Sequence, residues 1–180
     1  MSNPVQKNAE YEILDPSVFE LIVYGGIIGG IAGGLAFSLI IFILTPTGNF
    51  YNLVANLFLE TNDTLIGFVV HIGIAITFGI MFGVLLIFIP KLGSSQLITL
   101  LTAVVWGFIL WVVAANILMP LILNDFSNIN EVLSLDRLLS LDTWTNEDAL
   151  RSFATHMFYG VFLALVTWNL PPLVEKLSNR

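Results

Sequence analysis

The chain contains no cysteine, which excludes disulfides, iron–sulfur clusters and thiolate zinc sites. Charge is scarce: 11% of the 180 residues are Asp, Glu, Lys or Arg, against about 25% in an ordinary soluble domain. The middle of each long apolar run carries no Asp, Glu, Lys or Arg, and the acids sit in tails, loops and run ends. Ion-coupled carriers and proton pumps usually keep such a group at the membrane midplane. Bases are fewer still, with Lys+Arg 6 against Asp+Glu 13 and a formal net charge of −7. No basic patch exists, so nucleic acid is not an expected partner. A phosphate loop, a Ser-His-Asp set and calcium-loop spacing among the acids are also missing. Histidine occurs only at His71 and His156.

Apolar residues make up 57% of the chain, and the mean hydropathy is +0.90. That composition is membrane-like, and the length accommodates about four spans of about 20 residues with loops. The expected fold is an all-α membrane protein of four transmembrane helices. Its N-terminal tail, 1–17, is polar and acidic, and the first apolar run is too long for a signal-peptide core. A single membrane domain over 18–170 follows, with spans at about 18–44, 64–89, 97–123 and 149–170. Pro46, Pro90, Pro120 and the pair Pro171-Pro172 punctuate the span ends. The loops 47–63 and 124–148 each hold an apolar stretch suited to the membrane interface. Thr145 and Asp148 have the spacing of a capping box opening the last helix. A short tail, 171–180, closes the chain.

The densest signal is Tyr24-Gly-Gly-Ile-Ile-Gly-Gly-Ile-Ala-Gly-Gly-Leu35. Gly25, Gly29 and Gly33 form one helical ridge, and Gly26, Gly30 and Gly34 form the ridge beside it. Each interior glycine costs about 1 kcal/mol relative to alanine in water. In lipid the backbone has no alternative partner, so the segment stays helical and another helix can approach closely. Smaller ridges recur as Gly67, His71, Ala75, Gly79, Gly83 and as Ser152, His156, Gly160, Ala164. Gly107 marks the third span. The shared His-xxx-small-xxx-small pattern suggests a duplicated helical hairpin with a pseudo-two-fold along the membrane normal. His71 and His156 then lie at similar depth on parallel helices.

Two readings of the histidines stand side by side. In one, each imidazole bonds a neighbouring carbonyl or hydroxyl, with Ser38, Thr77 and Asn116 as candidate partners, and no cofactor is bound. In the other, His71 and His156 are cofactor ligands, holding a b-type haem or a copper ion. Asn116, deep in the third span, fits an interhelical hydrogen bond. Trp106 and Trp111 lie inside that span, whereas Trp144, Trp168 and Tyr24 fit interfacial anchors.

The glycine-rich first span, His71 with Gly79, Trp111 with Met119-Pro120, and His156-Met-Phe-Tyr-Gly160 together resemble a group of small four-span membrane proteins of archaea and bacteria. The resemblance implies the fold and membrane location and brings no activity with it.

The expected function is non-catalytic: a structural or accessory subunit that packs against other membrane subunits or copies of itself in the lipid bilayer. The alternatives are a haem electron carrier using both histidines and a channel or carrier for a small solute. Lys7, Lys91, Lys176 and Arg180 fall on one side of the spans and Arg137 and Arg151 on the other. By the positive-inside rule both termini are expected in the cytoplasm, with the protein integral to the cell membrane.

Overall fold

The computed structural model describes residues 16–44, 49–114 and 147–178, with side chains described at 25–44, 50–114, 147 and 149–169. All regular structure among them is helical: α1 (Pro16–Leu44), α2 (Asn49–Leu59), α3 (Thr64–Phe88), a 3-10 turn (Pro90–Gly93), α4 (Gln96–Val113) and α5 (Glu147–Ser178). Four stretches are long and apolar enough to cross a membrane: Gly25–Leu44, Thr64–Phe88, Gln96–Val113 and Ala149–Asn169. The chain is built as a multi-pass membrane protein. Asn116, Pro46, Pro120, Trp144, Thr145, Arg137, most of the N-terminal tail and nearly all of the 124–148 loop lie outside the described residues.

Local chemistry sets the helix ends. Asp63 is extended and its carboxylate accepts from the amides of Leu65 at 2.8 Å and Ile66 at 3.1 Å, capping α3. The Ser95 hydroxyl does the same for α4 through the Ile98 amide at 3.3 Å. Pro90 stops α3 and opens the 3-10 turn. α2 ends at Leu59, and the next residue, Glu60, adopts φ 52°, a left-handed conformation that residues other than glycine rarely take.

One expectation needs correction. The fourth membrane-crossing stretch ends at Asn169, as expected, but its helix runs on through Pro171-Pro172 to Ser178. Proline's fixed φ is itself helical, and its damage is the lost N–H bond and a clash one turn back. Neighbouring groups or water can satisfy the released carbonyls of Thr167 and Trp168 at a span end. The apolar stretch of the 47–63 loop is a helix that packs one face on α3. Its Tyr51, Val54 and Ala55 are buried, while Phe58 and Leu59 are exposed.

α1 is the centre of the bundle. It packs against α3 on one side and α5 on the other; α4 packs on α5, and α2 on α3. The spans therefore follow the order second, first, fourth, third. Each glycine ridge of α1 has its own neighbour. A Cβ on Gly26 would stand 2.5 Å from the Gly79 carbonyl oxygen, and one on Gly30 2.7 Å from that of Ala75. A Cβ on Gly29 would stand 2.8 Å from the Leu163 side chain, and one on Gly33 2.8 Å from the Tyr159 ring. Gly25 lies against Thr167, and Gly34 against the Ala75 methyl. Glycine closes the α4–α5 contact as well: Gly107 meets the His156 carbonyl and Gly160 the Ala103 carbonyl. Gly83 is buried in α3. Phe82 and Leu163, both 0% exposed, fill the core between these contacts.

α3 and α4 meet at Phe82 and Trp106, whose ring centroids are 6.3 Å apart. They make no interface among the described residues comparable to that between α1 and α5. The row of spans is therefore open along its α3 and α4 flank.

Adding one methyl separates these contacts from helix propensity. Gly26→Ala forces a Cβ into a backbone carbonyl and should destabilise by about 1–3 kcal/mol, the usual scale of overpacking. Gly73, on α3, has nothing within 4 Å of its virtual Cβ. Gly73→Ala should be neutral or stabilising by up to about 1 kcal/mol. Unfolding in detergent followed by circular dichroism checks both.

Candidate functional site

The two histidines come together around one phenylalanine. His71 lies one turn beyond Gly67 on the buried face of α3. A Cβ on Gly67 would overlap the Tyr51 carbonyl, so glycine there lets α2 settle directly on α3. That seating brings Phe50 and Tyr51 over the His71 imidazole, with ring centroids at 5.4 and 5.9 Å. From α1, Phe37 reaches the same imidazole at 4.6 Å and the His156 imidazole at 5.1 Å. Phe37 and Phe50 also touch, at 5.6 Å. Asn52 accepts from the Thr64 hydroxyl at 2.5 Å, and Asn56 donates to Asn62 at 3.2 Å, tying α2 to the start of α3.

The hydrogen bonds are mostly local. His156 Nδ1 sits 2.7 Å from the Ser152 carbonyl, which can only accept, so Nδ1 carries the proton. The Gly34 backbone lies close to the His71 imidazole, and its carbonyl accepts from the Ser38 hydroxyl at 2.7 Å. His71 Nε2 and the Tyr51 hydroxyl are buried without a hydrogen-bond partner. Tyr51 belongs to α2, outside the spans, and burial raises its phenol above the ordinary tyrosine range. Its polar neighbour is Ser38.

Of the expected partners, Ser38 is at the site through the shared Gly34 carbonyl, and Thr77 is not. Thr77 is exposed and donates to Gly73 one turn back. Asn116 lies outside the described residues. Trp111 is buried and donates from Nε1 to the Ala149 carbonyl at 3.1 Å, bracing the start of α5. Trp106 is half-buried, with its Nε1 enclosed and unpartnered. Arg151 pairs with Glu147 one turn earlier.

The arrangement does not fit a haem. An axial pair needs the porphyrin between the two Nε2 atoms. Here Phe37 packs against both imidazoles and Phe50 covers one. One turn from His71, the Gly34 and Ala75 positions of α1 and α3 are already in contact. Parting those helices enough for a porphyrin would break the glycine contacts. No group of three or more His, Cys, Asp or Glu comes together among the described residues.

The aromatic cover was missed in the sequence. Tyr51, Val54 and Ala55 have the i, i+3, i+4 spacing of a packed helix face, and Gly67 heads the ridge that receives it. Those two signals together would have placed α2 over His71. Tyr159 was also passed over, although it follows His156 by three residues. Its hydroxyl reaches across Gly33 of α1 to donate to the Ala75 carbonyl at 2.7 Å. It thereby ties α5 to α3.

The fold and site define a small four-span membrane protein with a closed imidazole–aromatic cluster. Comparison with protein-family models, curated proteins and solved structures finds no significant match.

Tyr159→Phe keeps the ring over Gly33 and removes the hydrogen bond. It should cost about 1 kcal/mol, since Ala75 O can still accept within its own helix. Tyr159→Ala opens a cavity and should cost about 3–5 kcal/mol. Thermal unfolding of both variants in the same detergent measures the difference.

Proposed function

We propose that the chain is a non-catalytic structural subunit of a larger membrane assembly or homo-oligomer. The observation that carries this reading is where the polar groups of the spans direct their protons. Ser38, Thr77, Thr99, Thr102, Thr155, Tyr159 and Thr167 all donate to backbone carbonyls of this chain. Such bonds rigidify a scaffold. The spans also lack the midplane charge that driven transport uses, which argues against the carrier alternative.

The outward faces supply the surface for assembly. On α4, Leu97, Leu101, Val105 and Phe108 are all exposed, at helical spacing. Beside them an apolar groove of about 350 Å³ is lined by residues of α3 and α4 that include Leu85, Leu101, Val105 and Trp106. Because both glycine ridges of α1 have neighbours within the chain, assembly falls to these flanks.

Three finer readings accompany the proposal. The bases Lys7, Lys91, Lys176 and Arg180 support cytoplasmic termini in a cell membrane. The shared histidine ridges and the paired contacts Gly26–Gly79 and Gly107–His156 support a duplicated hairpin. The unequal α1–α5 and α3–α4 interfaces mean that any pseudo-two-fold is approximate. The motifs quoted above are the support for reading the chain as similar to the small four-span proteins of archaea and bacteria.

Native mass spectrometry of protein extracted gently from its own membranes tests the function. We expect a stoichiometric second chain or a defined homo-oligomer, lost when Leu101 and Val105 are both replaced by Trp while the monomer stays folded. A monodisperse monomer from native membranes contradicts the proposal.

A further inference from the structure

Two buried polar atoms without partners lie in the same small cluster. His71 and Tyr51 are each 8% exposed, and among the described residues neither His71 Nε2 nor the Tyr51 hydroxyl has a partner at hydrogen-bond geometry, Ser38 being the polar neighbour of Tyr51. An unsatisfied buried polar group costs about 1–3 kcal/mol, so native proteins rarely leave two together. The two are chemically complementary. The phenol is a donor, and Nε2 of His71 is an acceptor when the imidazole carries its proton on Nδ1. Their rings are 5.9 Å apart, centroid to centroid, yet they do not bond each other directly. His156 lies against the same Phe37 ring; its Nδ1–H donates to the Ser152 carbonyl, which leaves the lone pair at Nε2.

We propose that Tyr51, His71 and His156 form a binding site for a small neutral hydrogen-bonding molecule of water's size, enclosed beneath α2. The occupant accepts from the Tyr51 hydroxyl and donates to imidazole Nε2. Water has this donor and acceptor pattern, and so do other small neutral hydrides and alcohols. A bridging molecule is the usual way such a pair is satisfied. The walls select against charge. Phe37 and Phe50 line the cluster, and the described span residues contain no Asp or Glu to offset a cation. α2 is the cover, held down where Gly67 receives the Tyr51 backbone. The site is independent of the assembly proposed above and exists in the single chain.

Nuclear magnetic resonance of ¹⁵N-histidine-labelled protein in lipid nanodiscs tests this, with water as the probe. In the wild type we expect a non-protonated His71 Nε2 in contact with a proton that exchanges with bulk water. Tyr51→Phe should abolish that contact, and Phe50→Ala, which thins the cover, should speed the exchange. Unchanged melting and monodispersity show that the variants are folded, and the wild-type spectrum decides the matter if they are not. A His71 Nε2 with no exchangeable-proton contact overturns the proposal. So does an equimolar transition metal retained through chelation with both Nε2 atoms ligated, which would make the site a cation site.

Discussion

Everything in this bundle depends on how closely two backbones can approach α1. At Gly26 and Gly30 the neighbouring carbonyls of α3 occupy the space a Cβ would need, and at Gly29 and Gly33 side chains of α5 do. Lipid offers no hydrophobic gain when helices associate, so van der Waals contact and interhelical hydrogen bonds must hold them. A helix with glycine on two adjacent ridges can be gripped from both sides. That makes α1 the central element, although it is also the most glycine-rich and the poorest helix former in water.

The histidine cluster follows from the same approach. α1 and α3 are so close at Gly34 and Ala75 that Phe37 is carried against His71. α5, drawn in along Gly29 and Gly33, brings His156 against the other side of the same residue's environment. Tyr159 then links α5 to α3 over the missing side chain of Gly33. The imidazoles are held by packing, and His156 also by its bond to the Ser152 carbonyl. That packing leaves no space for a porphyrin between them.

Span positions were legible in the sequence because hydropathy reports directly on the bilayer. Asp63, Ser95 and Pro90 mark helix ends by local chemistry, and the α3 boundaries fell within a residue of expectation. Pro171-Pro172 misled because proline breaks a helix only where its lost bond and its clash cannot be absorbed. The glycine ridges predicted close packing but not its partners, since ridge spacing is the same whether the neighbour is in the same chain or another. The histidines were visible as a pair; their cover was not. Phe50 and Tyr51 read as interfacial residues because their burial depends on Gly67, a contact between two elements that neither element announces alone.

Whether the glycine ridges face inward within one chain is the central claim, and the absence of native cysteine makes it directly testable. A Cβ at Gly25 would lie 3.7 Å from the Thr167 Cα and 3.6 Å from its Cγ2, close to disulfide geometry. Gly25→Cys combined with Thr167→Cys, oxidised in native membranes, should give an intramolecular disulfide: a monomer of altered mobility that reverts on reduction. Cross-linked dimers alone, or no disulfide in a folded protein, would show that this ridge faces another chain and would contradict the account.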